Sequence, residues 1–168
     1  MNISDALIPE FDQEMATTRR VIERVPETSY GWKPHEKSMT AGRLASHIAE
    51  MGMWAKMTMT TDVFDFSPGG KPAYDAFSAK TKAELLAEFD KQVAEGRHAL
   101  NVANEEYMKT WSLQNNGHAI FTMPKVVVIR TFVLNHIVHH RGQLSVYLRL
   151  LDVPVPSIYG PSADEGSM

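Results

Sequence analysis

A helical apolar stripe that carries two histidines four residues apart dominates the reading of this chain. It lies in the segment Arg130-Thr-Phe-Val-Leu-Asn-His-Ile-Val-His-His-Arg-Gly-Gln-Leu-Ser-Val-Tyr-Leu-Arg149. Apolar side chains recur there at helical spacing, through Ile129, Val133 and Tyr147, with His136, His140 and Gln143 (or Leu144) on the same stripe. Residues four apart stack on one helix face. Both imidazoles therefore point into a core, where a polar ring needs a partner. One shared metal ion would satisfy both.

Three further segments repeat the amphipathic pattern. The first predicted helix runs from Ser4 to Val25 on a stripe of Ile8, Phe11, Met15, Thr18, Ile22 and Val25, with Pro9 obscuring its start and Pro26 helping to end it. The second begins at Ser38 or Thr40, either a suitable cap, and runs to about Asp62 with Leu44, His47, Met51, Trp54 and Met57 inward. The third begins near Thr81, with Glu84 as a capping-box partner, buries Leu85, Phe89, Val93 and Leu100, and frays past Asn101. The last opens at Thr122 or Met123, before Pro124, and ends near Leu151.

Between the second and third helices, Val63 to Ala79 reads as a long loop broken by Ser67-Pro-Gly-Gly-Lys-Pro72. Tyr107 to Leu113 and Ala119 to Thr122 alternate around Gln114-Asn-Asn-Gly117, a hairpin signal. The tail from Pro154 to Met168 reads as irregular. The expectation is an all-α protein, a four-helix bundle with a long crossover loop and a small β-hairpin before the last helix. At 168 residues it forms one domain, 1–168.

Bundles place metal sites between facing helices. His47 occupies the inner stripe of the second helix and is the natural third ligand. With His136 and His140 it would supply three neutral nitrogens, at about 2.0–2.1 Å for zinc, and leave a coordination position open as catalytic sites do. The competing reading is a set of core histidines satisfied by neighbouring hydrogen-bonding groups, and spacing alone leaves both standing. A zincin is excluded, because Ile137 stands where His-Glu-x-x-His requires glutamate. His139 points about 100° away from His140. His35, His98 and His118 read as solvent-facing.

Glu50, three residues after His47, can orient a ligand ring or act as a base, against the default of a solvated surface carboxylate. Gln143 can meet a substrate or water, and Arg141 can form a structural ion pair. Tyr30, Trp32 and Trp54 are candidates for the mouth of a substrate pocket, with plain core packing as the alternative.

The absence of cysteine removes disulfides, thiolate ligands and a cysteine nucleophile. A metal site must then use imidazole or oxygen, which suits zinc, nickel, iron or manganese. Met51, Met53, Met57 and Met59 read as adaptable core filling rather than a copper site. A net charge of −3 without a basic cluster argues against nucleic-acid binding. No apolar run is long enough to span a membrane, and no secretory signal is visible, so a cytoplasmic location is expected.

The block Asn135-His-Ile-Val-His-His-Arg-Gly-Gln-Leu-Ser-Val-Tyr-Leu-Arg149 and the following Val153-Pro-Val-Pro-Ser-Ile-Tyr-Gly-Pro-Ser-Ala-Asp-Glu165 resemble the C-terminal signature of DinB-like proteins, the DinB/YfiT superfamily. Trp32-Lys-Pro34 and Ser38-Met-Thr-Ala-Gly-Arg-Leu-Ala-Ser-His-Ile-Ala-Glu50 resemble its N-terminal half, so the resemblance spans residues 5–165. It implies a four-helix bundle holding a divalent metal, zinc or nickel before iron or manganese, on His47, His136 and His140, and a homodimer. Some relatives are thiol-dependent S-transferases or isomerases, and others are described as metal-dependent hydrolases. The resulting expectation is a metal-dependent enzyme that activates a low-molecular-weight thiol or water against a small electrophile. The alternative is a non-catalytic metal- or ligand-binding protein of a stress response.

Overall fold

The elements follow from where the chain can satisfy its backbone. In the computed structural model, which describes residues 2–166, α1 spans Ile3–Glu23. The Asp5 carboxylate closes its first turn by accepting the Asn2 amide at 2.8 Å. Pro9 lies inside α1 and costs it one intrahelical bond. Helix α2 spans Ala41–Thr60, and the Thr40 hydroxyl caps it by accepting the Arg43 amide at 3.2 Å. Helix α3 spans Lys82–Ala99 behind a Thr81 cap. Glu84 closes this cap on the Lys80 amide, at 2.8 Å. These starts agree with the predicted caps, and the ends with the predicted boundaries within a few residues.

The region before the last helix departs from expectation. Tyr107 does not open a strand. It lies in a short helix, α4 (Asn104–Met108), fully buried, with its hydroxyl donating to the Leu100 carbonyl at 2.6 Å. Burial of that hydroxyl outweighed the alternation signal. The hairpin itself is present as β2 (Thr110–Asn115) and β3 (His118–Pro124), antiparallel. Its turn residues Asn116 and Gly117 both take positive φ, at 50° and 78°, as a type I′ turn requires.

The predicted long loop contributes a third strand, β1 (Val63–Asp65), which pairs in parallel with β2. An expectation of all-α with one hairpin is therefore corrected to a mostly helical protein with a small three-stranded sheet, in the order β1-β2-β3. Three residues of β1 are too few for a periodic signal. The Asp65 carboxylate ties this strand to the hairpin by accepting the amides of Ser67, Asn116 and Gly117 at 2.9, 2.9 and 2.7 Å.

Thr122 and Met123 lie within β3, which ends at Pro124, rather than opening a helix, and the helical run starts at Lys125. That run is not uniform. Helix α5 (Lys125–Val128) passes into a π-helical segment, Ile129–Leu134, before α6 (Asn135–Leu150). The Thr131 hydroxyl donates to the Val127 carbonyl at 2.8 Å and competes with the backbone for that acceptor.

Helix α2 packs most extensively on α3 and also on α6, while α1 packs on α3 and α6. The core between them contains Phe11, Ile22, Leu44, Ile48, Met51, Leu85, Leu100 and Ile129, all essentially without solvent contact. Met59 is buried too, and Met53 and Met57 pack on this core, as adaptable filling does. No helix among the described residues is long and apolar enough to cross a membrane. Residues 154–166 are largely irregular, as predicted. Ser167 and Met168 of the predicted tail lie outside the described residues.

Candidate metal centre

His47 stands in the middle of α2, and His136 and His140 stand one turn apart at the start of α6. The α2–α6 packing brings the three rings together. The His136 and His140 ring centroids are 4.5 Å apart, and His47 lies 5.3 and 4.7 Å from them. One nitrogen from each ring falls within 4.8 Å of the others. Three imidazoles so arranged could hold one divalent ion after small ring rotations.

Burial favours the neutral form of His136 and His140. Burial, and then the neighbouring His140 and His47, push His136 down to about 4, against the opposing effect of the Phe132 carbonyl. Burial also lowers His140, with Gln143 opposing. A neutral ring is the ligating form. The buried Nδ1 of His136 has no hydrogen-bond partner of acceptable geometry. Such an orphaned polar atom calls for a ligand, and the group fits a metal by this test.

Gln143 sits one turn beyond His140, and its amide oxygen lies 2.8 Å from His140 Nδ1. An oxygen there requires Nδ1 to donate, which leaves the Nε2 lone pair of His140 free. Glu50 is not a solvated surface carboxylate, because it retains only 5% of its exposure. Its Oε1 is 3.8 Å from His47 Nδ1, Arg43 donates to the same oxygen at 3.1 Å, and the Phe77 amide donates to Oε2 at 2.9 Å. Burial alone would raise its pKa. The His47 ring, the Phe77 amide and Arg43 overcome that and hold the carboxyl below its usual range.

Of the aromatic candidates, Trp54 lines a cavity next to His136. That cavity, about 510 Å³, lies between α2, the 66–76 stretch, β2 and the π segment. Phe132 also lines it and contacts both Trp54 and His136, at centroid distances of 5.3 and 5.6 Å. Trp32 packs instead edge-on against Tyr147 at 5.5 Å. Tyr30 presses its side chain against Gly42 at the start of α2. Arg141 is buried in an ion pair with Glu14 at 2.7 Å. His139 contacts the His140 ring at 5.0 Å and is exposed.

Sequence reasoning missed Arg43, Phe77 and Phe132. Arg43 precedes Glu50 by seven residues, two helical turns, so spacing did carry a signal for it. Phe77 acts through its backbone amide, which no side-chain pattern reveals.

The chain also has relatives. It is 25% identical to the Bacillus subtilis protein YrdA over 166 residues, which covers 96% of this chain and 90% of that protein. Two solved structures share the fold. A DinB-like protein from Bacillus cereus superposes with a TM-score of 0.70 at 20% identity, covering 94% of this chain and 98% of the other. The DinB-like protein YjoA from Bacillus subtilis superposes with a TM-score of 0.69 at 16% identity, covering 93% and 99%. The family model described as the DinB family matches residues 1–167, and the chain belongs to that family.

Proposed function

We propose that this protein binds one divalent metal ion through His47, His136 and His140, and uses it to activate a thiol or water for attack on a small electrophile. In this reading α1, α2, α3 and α6 act as a four-helix bundle, with the site between α2 and α6. The observation that carries it is the convergence of three imidazoles, two of them kept neutral by burial and one of these with an orphaned nitrogen. A bound divalent ion supplies Lewis acidity that lowers the pKa of a thiol or water at its open position. Gln143 holds the tautomer of His140. Glu50 orients His47, and the packed aromatic rings beside His136 keep water away from one side.

A second reading has its own support. Glu50 is already engaged by Arg43 and Phe77, so the carboxylate beside the histidines is not a free base. A non-catalytic metal- or ligand-binding protein would need none.

Elemental mass spectrometry on untagged protein tests the first step. The expected result is near-stoichiometric zinc, nickel, iron or manganese in the wild type and its loss in His47→Ala and His136→Ala. A wild type that contains no metal and takes up none of these four ions would sink both metal readings. Metal-dependent turnover of electrophiles with thiol, or of esters with water, would then separate enzyme from binding protein.

A further inference from the structure

The 510 Å³ cavity beside His136 has walls of one chemical kind. Trp54, Phe66, Leu113 and Phe132 supply rings and an alkyl surface, and none of its lining side chains carries a charge. The rings stand nearly edge to face: Trp54 meets Phe64, Tyr74 and Phe132 at 82–89°. Aromatic walls so disposed favour another ring between them. A charged guest would lose its hydration with no counter-ion among these walls.

One polar group faces the space without an internal partner. Ser67 is occupied, its hydroxyl donating to Asn115 at 2.5 Å. The Tyr74 hydroxyl meets no hydrogen-bonding group among the described residues; the side chain is exposed, and partial burial with the Glu50 charge raises its pKa against the opposing Arg43. A ligand oxygen can take the place of the solvent that meets this hydroxyl. The mouth is built rather than loose. Phe66 and Ala73 are joined by a 2.9 Å backbone bond, Phe66 is tied to Gln114 at 3.1 Å, and Phe77 is anchored on Glu50. One contact joins the cavity to the histidines: Phe132 touches His136.

The geometry points to a binding site for the body of the substrate: an uncharged aromatic or fused-ring small molecule with a carbonyl or ether oxygen for Tyr74. This inference rests on the metal-site reading only for what happens at the reactive end of the molecule. The cavity volume suits a ligand of drug-like size or smaller.

A matched pair of probes tests it on the full-length isotope-labelled protein by NMR titration. 2-Acetonaphthone is neutral and carries a carbonyl, whereas 2-naphthoate has the same rings and a charge. The expected result is that the ketone shifts amides at Ser67, Gly70, Ala76 and Leu113 with a Kd on the order of 10–500 µM. The carboxylate should bind at least about tenfold more weakly. Ala76→Glu alters an exposed residue on the cavity wall, so the fold should survive. It should weaken the ketone by about tenfold or more and leave metal content unchanged. Tyr74→Phe should weaken the ketone by roughly three- to tenfold. His136→Ala should lose metal yet keep ketone binding within about twofold, since the two sites are neighbours and not one. Equal affinity for both probes, shifts outside the cavity, or indifference to Ala76→Glu would overturn the assignment. Ketone binding in the cavity of a wild type that refuses all metals would overturn the metal reading and leave the cavity site standing.

Discussion

His136 shows how one side chain links stability to the site. In the unfolded chain its pKa lies near the ordinary 6.5, and in the folded protein it is pushed down to about 4. Between these values the unfolded chain holds a proton that the folded chain refuses, so stability rises with pH. The contribution is fully present above pH 6.5 and is lost as pH falls towards 4. Urea denaturation of metal-stripped protein should therefore show a loss of about 2–3 kcal/mol between pH 7 and pH 4 from this residue. His136→Phe should flatten that part of the profile. Gln143 offers a second check. Replacing it with leucine removes the oxygen that fixes His140, and metal affinity measured by chelator competition should fall about 10- to 100-fold while the fold persists. The i, i+4 pair and its place on the stripe were legible in the sequence. The burial of Glu50 was not, because the stretch that covers it, with the Phe77 amide, lies outside α2 and 27 residues further along the chain.

Among the helices, the α2–α3 crossing depends on two glycines that no motif announced. A Cβ on Gly96 would lie 2.6 Å from the Gly52 carbonyl oxygen, and one on Gly52 would collide with the Gln92 backbone. Neither neighbour is a flexible side chain, so the helices would have to separate. Gly96→Ala should destabilise the protein by about 1–3 kcal/mol in chemical denaturation, although alanine is the better helix former. A neutral or stabilising result would show that the crossing is slack. The last helix is similarly half legible. Its apolar period and histidines were visible, but the π segment at Ile129–Leu134 was not, because its residues are ordinary helix and strand formers. Segments of this kind occur often at functional sites, and this one ends two residues before His136. The strand β1 escaped notice for another reason: its three residues gain meaning only from pairing with β2, about fifty residues away.

Across the molecule, the C-terminal segment is strapped back over α1 and α6. Arg141 is the anchor. It pairs with Glu14, donates to the Thr18 hydroxyl at 3.1 Å and lies 5.0 Å under the Tyr159 ring. Arg24 pairs with Glu165 and Arg149 with Asp164 further along. Arg141→Ala would leave Glu14 without its buried partner and should cost about 3–5 kcal/mol. Limited proteolysis should then cut within residues 154–166 first, whereas an uncut tail would show that the exposed ion pairs suffice. The amphipathic periods, caps and type I′ turn could be read from local order, because each depends on residues a few positions apart. The same periods placed three histidines on inward faces. Their convergence, the cavity beside them and the strapped tail arise from contacts between segments far apart in the chain. Those contacts are set by how whole helices pack, which local spacing does not encode.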